Sequence, residues 1–508
     1  MAGRRETGLA AVAGLVAGVV TIGVGAAVSL LTGPSSDPLV AVGSAFVDAT
    51  PAWLKEFATT NFGTNDKLVL ALGEVVVLLA LAALAGVLAA RRWAWGAVLV
   101  VLLGAVSALA ATARPDAGTL AGVPSVVGTI AGLWTLRFLI RRIPDASASQ
   151  REAAQGRRGF LQASLVAGAA GALALVIGRT FGATARKAEQ ARGGLVIPKA
   201  STPAAPVPAG VDVGVDGVDP WLTPADEFYR IDTALTVPSV DPSTWRLRIH
   251  GMVENEVTLT WDELIASDLV EAYVTLACVS NPVGGDLISN QKWLGLPIKG
   301  LLEKAGPTGD ADMVLSRSVD GFTAGTPLAA LMDGRDALLA IAMDGEPLPF
   351  EHGFPVRMVV PGLYGYVSAT KWVEDLTVTR FADAQAYWTQ RGWSAEGPVK
   401  TQSRIEVPRR DTTVTAGPVV VAGTSWAQHR GVRGVQVRVD DGAWNDATLA
   451  DDGGIDSWRQ WTWTWDAEPG DHELYVRAFD PAGPQTGAVQ GEVPDGATGY
   501  DTVRVKVS

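Results

Sequence analysis

The first 182 residues contain five apolar segments, each long enough to cross a lipid bilayer as a helix. A helix needs about 20 apolar residues to span the hydrocarbon core. The segments lie near residues 8–31, 67–90, 93–113, 119–140 and 160–178. From Asp212 onward, charged and aromatic residues are spread as in an ordinary globular protein. We therefore predict a transmembrane region of five helices at residues 1–182, followed by soluble domains.

Paired arginines flank the apolar segments and predict their orientation, because positive flanks stay on the cytoplasmic side. Five crossings place all of these pairs on the same side: Arg4/Arg5, Arg91/Arg92, Arg141/Arg142 and Arg157/Arg158. The chain is thus predicted to be a multi-pass protein of the cytoplasmic membrane, with its soluble domains on the extracytoplasmic side. The last pair precedes Phe160 and Leu161 and resembles a twin-arginine export signal. The alternative is that this pair is an ordinary positive flank.

The remainder of the chain divides by composition into three regions. Residues 183–218 are a predicted linker, because this Pro- and Ala-rich stretch has few large apolar side chains to pack. Between residues 219 and 395, short β-branched runs alternate with short helical stretches, which is typical of an α+β domain. From 396 to 508, short alternating strands separated by Gly and Asp turns predict an all-β sandwich of immunoglobulin type.

Cys278 is the single cysteine among 508 residues. One cysteine excludes an intrachain disulfide, an all-cysteine zinc site and an iron–sulfur cluster. The apolar run Tyr273–Ala277 delivers it to a turn rich in Asn, Pro and Gly, so the thiol lies at the end of a buried strand. Three roles remain open: a nucleophile, a thiolate bound to a metal that a cofactor already holds, or an inert buried residue.

Composition excludes two further classes of function. The formal charge of −12 argues against nucleic acid as a partner, because phosphate binding needs clustered Lys and Arg. All four histidines, His250, His352, His429 and His472, follow the apolar segments. The predicted membrane helices therefore offer no pair of histidines to a haem.

Several stretches after residue 219 resemble, in the same order, those of the sulfite oxidase family of molybdenum-cofactor enzymes, including its bacterial sulfoxide-reductase branch. They are FYRIDTALTVPSVDPSTWRLRIHGMV (228–253), TLACVSN, KWLGLPI, EHGFPVRMVVPGLYGYVSATKWVEDLTV (351–378), AWNDATL, WTWTW and YVRAFD. The last three resemble the C-terminal dimerisation domain of that family. The resemblance implies a molybdopterin-binding catalytic domain followed by a dimerisation-type domain, and therefore a possible homodimer.

The resemblance also implies the residues that hold the cofactor, molybdenum–molybdopterin. Cys278 would supply a thiolate to the metal, which suits a metal already in a sulfur environment. The implied contacts to the pterin and its phosphate are Asp320, His352, Arg357, Ser368 and Lys371. An arginine fork and a lysine point charge are well matched to a phosphate.

On the substrate side, Arg230 matches the family arginine that faces an anionic substrate, and Trp293 matches a tryptophan that lines the same pocket. With Cys278, these are the predicted catalytic residues. Two departures concern the substrate. Asn281 is followed by Pro282 where true sulfite oxidases continue with arginines, and Asp232 replaces a histidine. A pocket that loses a cation and gains an acid binds sulfite less well.

We therefore predict an oxidoreductase that transfers an oxygen atom to or from a small sulfur oxyanion such as sulfite. The alternatives are a sulfoxide or N-oxide reductase of the same fold, or a membrane receptor domain without the cofactor. A cysteine hydrolase lacks support, because no second His/Asp motif accompanies the thiol. Since the chain carries no haem or iron–sulfur motif, a separate electron-transfer protein is an implied partner.

Overall fold

The computed structural model describes residues 2–33, 36–50, 54, 66–114, 117–144, 150–180, 183–234 and 236–508. The chain forms two compact units. The first comprises Met1–Glu189 with Ala234–Val237, and the second comprises Gln190–Thr233 with Pro238–Ser508.

The first unit is helical. Its helices are α1 (Ala2–Thr32), α2 (Pro38–Ala49), α3 (Asp66–Arg91), α4 (Trp93–Thr112), α5 (Val123–Ile140) and α6 (Gln150–Thr180), and α7 (Ala183–Gly194) runs on into the second unit. Within the described residues, five helices are long and apolar enough to cross a membrane: α1 and α3 to α6. The five predicted apolar segments are thereby confirmed as helices of that length and composition.

Small residues let these helices approach closely. A Cβ atom added at Gly14 of α1 would lie 2.0 Å from the carbonyl oxygen of Ala82 in α3. A Cβ atom added at Gly23 would lie 2.0 Å from the carbonyl oxygen of Gly171 in α6. Backbone contacts of this kind are typical of apolar helices held together by van der Waals packing, so both positions require glycine.

Residues 195–213, which we name the strap, lie against the body of the second unit. Thr202 forms a parallel β-bridge with Val270. Further along, the main-chain N–H of Val213 donates to Oε1 of Gln460 over 2.7 Å. The strap therefore extends from the strand that leads to the cysteine to the C-terminal region.

The prediction that residues 183–218 form an unpacked linker is wrong for the strap. Val211 is buried in the main hydrophobic core, and Leu195, Ile197, Ala200 and Val207 pack against that core. A few apolar side chains and main-chain hydrogen bonds are enough to fix a short extended segment. The low apolar content of the stretch therefore does not keep it from packing.

The second unit contains twenty strands and four further α-helices within the described residues. The strands are β1 (Arg246–Gly251), β2 (Val257–Thr260), β3 (Val270–Ala277), β4 (Ile288–Pro297), β5 (Met313–Ser318), β6 (Thr323–Pro327), β7 (Leu338–Met343), β8 (Glu346–Pro347), β9 (Arg357–Val359), β10 (Val373–Thr379), β11 (Gln402–Val407), β12 (Thr412–Val414), β13 (Gly417–Trp426), β14 (Gly434–Val439), β15 (Asn445–Asp446), β16 (Thr448–Leu449), β17 (Arg459–Ala467), β18 (Gly470–Asp480), β19 (Gly483–Pro484) and β20 (Asp501–Val507). The helices are α8 (Trp261–Ile265), α9 (Ile298–Ala305), α10 (Leu328–Met332) and α11 (Gly365–Ser368).

Residues 238–388 form an α+β region around two sheets. One has the order β2-β1-β10-β5-β6, and the other has the order β3-β4-β7-β8 with β9 paired to β7. Every residue of β7 is buried, which makes it the centre of the second sheet. The β3–β4 pair is antiparallel along its whole length, from Val270 opposite Gly295 to Ala277 opposite Ile288. This pairing fixes the point at which β3 ends and the chain reaches Cys278.

The C-terminal region is all-β, as the sequence predicts. A sheet of order β11-β13-β17-β16 faces a second sheet of order β12-β20-β18-β14-β15, with β19 paired to β18. Their inner faces share one core, to which Val421 and Trp461 contribute from the first sheet and Val437, Val476 and Val505 from the second. Alternating apolar residues on each strand generate these two inner faces.

Candidate functional site

Cys278 directly follows β3 and opens a closed turn. Its main-chain N–H donates to the carbonyl oxygen of Leu287 over 2.9 Å. The thiol is 2.9 Å from the hydroxyl of Ser280, and the residue is 8% exposed. Burial raises the pKa of the Cys278 thiol, while Ser280 and the ammonium of Lys371 lower it. A buried thiol with a nearby cation is suited to become a thiolate when it gains a positively charged ligand.

A second turn carries His352 and Arg357. The 3₁₀ turn Phe350–His352 ends at Gly353, whose φ angle is +110°. A Cβ atom there would lie 2.9 Å from Cβ of Arg357 and 3.2 Å from Cβ of Lys371. Only glycine permits both the left-handed backbone and this close approach. Gly353 therefore allows His352, Arg357 and Lys371 to lie close together.

Arg357 and Lys371 are buried cations. The Nη1 atom of Arg357 donates to the carbonyl oxygen of His352 over 3.2 Å, and its guanidinium is 5.1 Å from the ring centre of Trp293. Burial lowers the pKa of Arg357 to about 10. Burial also lowers the pKa of Lys371 to about 8, against the opposing effect of Asp232. In both cases loss of hydration is the main cause, so these two cations are held in a buried site.

Asp232 bridges two of the cations. Its Oδ2 atom is 3.0 Å from Nε of Arg230 and 3.0 Å from Nζ of Lys371. The Arg230 side chain is 38% exposed, so it lies at the outer side of the cluster. Two cations, Arg230 and Lys371, thus meet at this carboxylate, and the charges of Arg357, Lys371 and Arg230 all act on the neighbouring His352. Such an excess of positive charge favours binding of an anion.

His352 lies within this cluster as a neutral residue. Burial lowers its pKa to about 3, and the charges of Arg357, Lys371 and Arg230 act in the same direction. Its Nδ1 atom is buried and has no hydrogen-bond partner. A buried ring nitrogen of this kind is costly unless a ligand completes its hydrogen bonding.

Trp293 differs from its predicted place on the pocket wall. It is fully buried in β4, and its indole N–H donates to the carbonyl oxygen of Val274 over 3.1 Å. Its ring meets Phe228 edge-on, with the ring centres 5.5 Å apart. The guanidinium of Arg357 lies over the Trp293 ring, so Trp293 contacts the site by packing against that arginine.

Ser368 and Asp320 are placed by local turns. The Ser368 hydroxyl donates to the carbonyl oxygen of Tyr364, the residue before its own short helix α11, over 2.9 Å. Asp320 follows β5, and its Oδ1 accepts the N–H of Phe322 over 3.2 Å. The N–H of the preceding Val319 donates to the carbonyl oxygen of Trp372, beside Lys371. The main chain next to Asp320 is thus hydrogen-bonded to the main chain next to Lys371.

Tyr229 is a site residue that sequence reasoning missed. It is adjacent to Arg230, and burial beside Cys278 raises its pKa while the Arg357 charge opposes that rise. A Cβ atom at Gly365 would lie 3.6 Å from its hydroxyl and 3.8 Å from the carbonyl oxygen of Ala277. Tyr229 therefore lies where the cysteine turn meets helix α11. Only its place beside Arg230 in the motif FYRID could have indicated this.

Comparisons with known proteins indicate one class of enzyme. A family model described as "Oxidoreductase molybdopterin binding domain" matches residues 234–388. Mitochondrial sulfite oxidase of Rattus norvegicus is 30% identical over 298 residues, which cover 48% of this chain and 52% of that protein. The uncharacterized oxidoreductase YuiH of Bacillus subtilis is 32% identical over 157 residues, which cover 31% of this chain and 76% of that protein.

A solved structure shares the fold. The sulfane dehydrogenase SoxCD from Paracoccus pantotrophus matches with a TM-score of 0.50 and 22% identity, covering 58% of this chain and 82% of that chain. Residues 234–388 thus form a molybdopterin-binding domain of an oxidoreductase. The chain belongs to the sulfite oxidase family, and its cofactor is molybdenum–molybdopterin. It spans about half the length of the mammalian sulfite oxidases that it matches.

The site residues fit that cofactor. The cations could pair with the anionic phosphate of the cofactor. The buried Nδ1 of His352, which has no hydrogen-bond partner, could form a hydrogen bond with a polar group of the cofactor. The buried thiol of Cys278 lies near enough to Lys371 for its pKa to respond to the ammonium. A lone thiol provides the single soft ligand that a metal already held by a dithiolene accepts.

Proposed function

We propose that this protein is an oxygen-atom-transfer enzyme that acts on a small sulfur oxyanion such as sulfite. The observation that supports this most directly is a group of three cations, two of them buried, near a lone thiol. Asp232 pairs with Arg230 and Lys371, and Arg357 donates to the carbonyl oxygen of the neutral His352. Burying cations costs free energy, so a group of this kind indicates a site that binds an anionic ligand.

In this proposal each residue has a separate task. Cys278 is the thiolate ligand of molybdenum. The contacts to the pterin and its phosphate are made by Asp320, His352, Arg357, Ser368 and Lys371. When bound, the cofactor supplies the oxygen transfer and the two-electron change, while the protein supplies orientation and charge. Arg357, held over the Trp293 ring, and Lys371 neutralise the phosphate, and the buried surroundings exclude water.

Arg230 is the proposed contact to an anionic substrate. It is the partly exposed cation of the cluster, and its guanidinium is fixed by Asp232. The same Asp232 favours a second candidate function, reduction of a neutral sulfoxide or N-oxide. A carboxylate next to the substrate cation lowers the affinity for an anion much more than the affinity for a neutral molecule.

We further propose a location and an assembly. Helices α1 and α3 to α6 would form a bundle in the cytoplasmic membrane, with the soluble part on the extracytoplasmic side. Residues 219–395 would be the catalytic domain, and 396–508 an immunoglobulin-like domain through which homodimers form. The two facing sheets of the C-terminal region and the arginine-flanked helices support this arrangement. Electrons would pass to or from a separate electron-transfer protein.

One experiment tests the enzymatic proposal. The full chain is purified in detergent from a host that makes molybdopterin, and bound molybdenum is measured by mass spectrometry. Sulfite oxidation and dimethyl sulfoxide reduction are then assayed with artificial electron carriers. Stoichiometric molybdenum with activity on either substrate supports the enzyme. Protein that folds but binds no molybdenum contradicts it and favours the receptor alternative.

A second experiment tests the location. Protease added to intact cells is expected to release the C-terminal region, because exposed soluble domains are accessible to it. Replacing Arg157 and Arg158 by lysine is expected to leave that region protected if the pair is an export signal. If the variant is still cleaved, the pair is not an export signal and is only an ordinary positive flank.

A further inference from the structure

The turn that carries Cys278 is a closed loop, which we name the cysteine loop (residues 278–287). Two hydrogen bonds close it at its base. The N–H of Cys278 donates to the carbonyl oxygen of Leu287, and the N–H of Leu287 donates to Oδ1 of Asn281 over 2.9 Å. The amide of Asn281 is buried. These bonds fix the shape of the loop but not its position relative to the rest of the site.

Arg404, on β11 of the C-terminal region, reaches into the cysteine loop. Its Nη1 atom donates to the carbonyl oxygen of Gly285 over 3.0 Å. Its other donors meet two carboxylates, Glu406 at 2.5 Å from Nε and Asp219 at 2.5 Å from Nη2. The side chain is 5% exposed. Three acceptors in three directions hold the planar guanidinium in one orientation.

The charge of Arg404 is already neutralised. Because Glu406 and Asp219 both contact it, this cation is unsuited to attract a substrate anion and does not replace the arginine that the cysteine loop lacks. Its remaining hydrogen bond goes to the Gly285 carbonyl, and its guanidinium also lies 5.7 Å from the ring centre of Trp458. Of these contacts, the one to Gly285 reaches the cysteine loop.

The same loop contacts the C-terminal region at a second point, where Gly284 packs against Asp501. Gly284 has a φ angle of +75°, and a Cβ atom there would lie 2.3 Å from Oδ1 of Asp501. The Asp501 carboxylate is held in turn by the main-chain N–H of Ile405, next to Arg404, over 2.8 Å. The far end of the loop thus meets strands β11 and β20 through two neighbouring contacts.

We propose that Arg404 is a positioning residue that sets the direction of the Cys278 thiol from the C-terminal region. The proposal rests on the proposed function for its catalytic meaning, since that assigns Cys278 to the metal. Its geometric part, that Arg404 keeps the loop closed over the thiol, holds for the protein with or without molybdenum. A C-terminal region that contributed only dimer contacts would have no such effect.

The test uses the fact that Cys278 is the single cysteine in the chain. Alkylation by iodoacetamide, followed by intact-mass spectrometry, then reports this thiol alone. The full-length protein is prepared in detergent without molybdenum, and rates are measured well below the unfolding temperature. Replacing only Arg404 would leave Glu406 buried without its cation, which is strongly destabilising. The main variant is therefore the pair Arg404→Met with Glu406→Gln.

In this pair we expect alkylation to be about tenfold faster than in the parent, because the loop opens locally more often. Arg404→Lys, which keeps the charge but cannot reach three acceptors in one plane, should give a smaller rise of about threefold. Arg504→Met is the matched control. Arg504 carries the same charge and contacts Glu473 at 2.9 Å, but it is 73% exposed and Glu473 is 36% exposed, so its removal leaves no buried carboxylate unpaired and the alkylation rate should change less than about twofold.

The variants that retain the parent circular dichroism decide the outcome. Parent-like alkylation rates in these folded Arg404 variants would overturn the proposal, and so would an equal rise in Arg504→Met. A separate measurement tests the metal assignment. Molybdenum loading should protect the parent thiol from alkylation. If loaded and metal-free protein react equally fast, Cys278 is not the ligand and the proposed function fails, while the comparison of Arg404 variants still tests the loop.

Discussion

Replacing Asp232 by Asn removes a carboxylate but leaves a side chain of nearly the same shape. In the structure this carboxylate contacts Arg230 and Lys371 through a single oxygen, at 3.0 Å from each nitrogen. The amide can still accept a hydrogen bond from one of these cations, so the cluster keeps its packing. The variant therefore isolates the effect of one negative charge on what the site binds.

The size of that effect follows from Coulomb's law. At an effective dielectric constant of about 20, a carboxylate about 6 Å from a bound anion costs that anion about 3 kcal/mol. Because the Arg230 side chain is 38% exposed, solvent screens part of this interaction. We expect about half to remain, which is about 1.4 kcal/mol, or about tenfold in kcat/KM for sulfite.

The assay is steady-state kinetics at low ionic strength on molybdenum-loaded protein. Asp232→Asn should raise kcat/KM for sulfite by about tenfold, and the gain should shrink as salt is added. With neutral dimethyl sulfoxide the change should stay below about twofold. Arg230→Gln should remove sulfite turnover without loss of molybdenum.

A matched control separates a local effect from a change in net charge. Asp383 is 46% exposed and contacts Arg380 at 2.6 Å, so Asp383→Asn alters the total charge equally. It should leave sulfite kinetics unchanged. If Asp232→Asn oxidises sulfite no better than this control does, Asp232 does not face the substrate and the electrostatic reasoning is incorrect.

Three other outcomes are expected. Cys278→Ser should abolish turnover while the pterin, measured by fluorescence after oxidation, stays bound through its phosphate contacts; full activity would refute the ligand assignment. Burial lowers the pKa of His352 from 6.5 to about 3. The stability that its neutral form contributes is therefore present above pH 6.5 and is lost as the pH falls toward 3, at no more than about 1.4 kcal/mol per pH unit. In denaturant titrations, His352→Gln should weaken this pH dependence. His472 should show the opposite sign, because Asp440 raises its pKa: His472→Gln should remove stability that is present at low pH and lost as the pH rises. A fragment 190–508, which keeps the strap, should unfold at a higher temperature than 219–508, and equal unfolding temperatures would show that the strap contributes nothing.

Sequence reasoning could name the proposed cofactor contacts because these residues lie in contiguous motifs. His352, Arg357 and Lys371 fall within 20 positions, and the turn at Gly353 that joins them is itself encoded locally. Cys278 was visible as the single cysteine at the end of an apolar run. The five apolar helices were equally visible, since length and composition alone define them.

The remaining features depend on contacts between distant parts of the chain. The strap pairs with β3 and with Gln460 through main-chain groups, which carry no sequence signal. Trp293 was predicted to line the pocket, but it is fully buried in β4, with the guanidinium of Arg357 5.1 Å from its ring centre. Neither the orientation of a side chain across a sheet nor the reach of Arg404 between domains can be read from local periodicity.

The strap also affects the order in which the chain can fold. It is synthesised early, yet the partner of Val213 is Gln460, 247 positions later. The contact at Val213 cannot form until β17 has been synthesised, and closing so long a loop is slow. The strap can pair early at Thr202 with Val270, but its end at Val213 must wait for Gln460. Folding of the second unit is consequently a late step that a truncated nascent chain cannot complete.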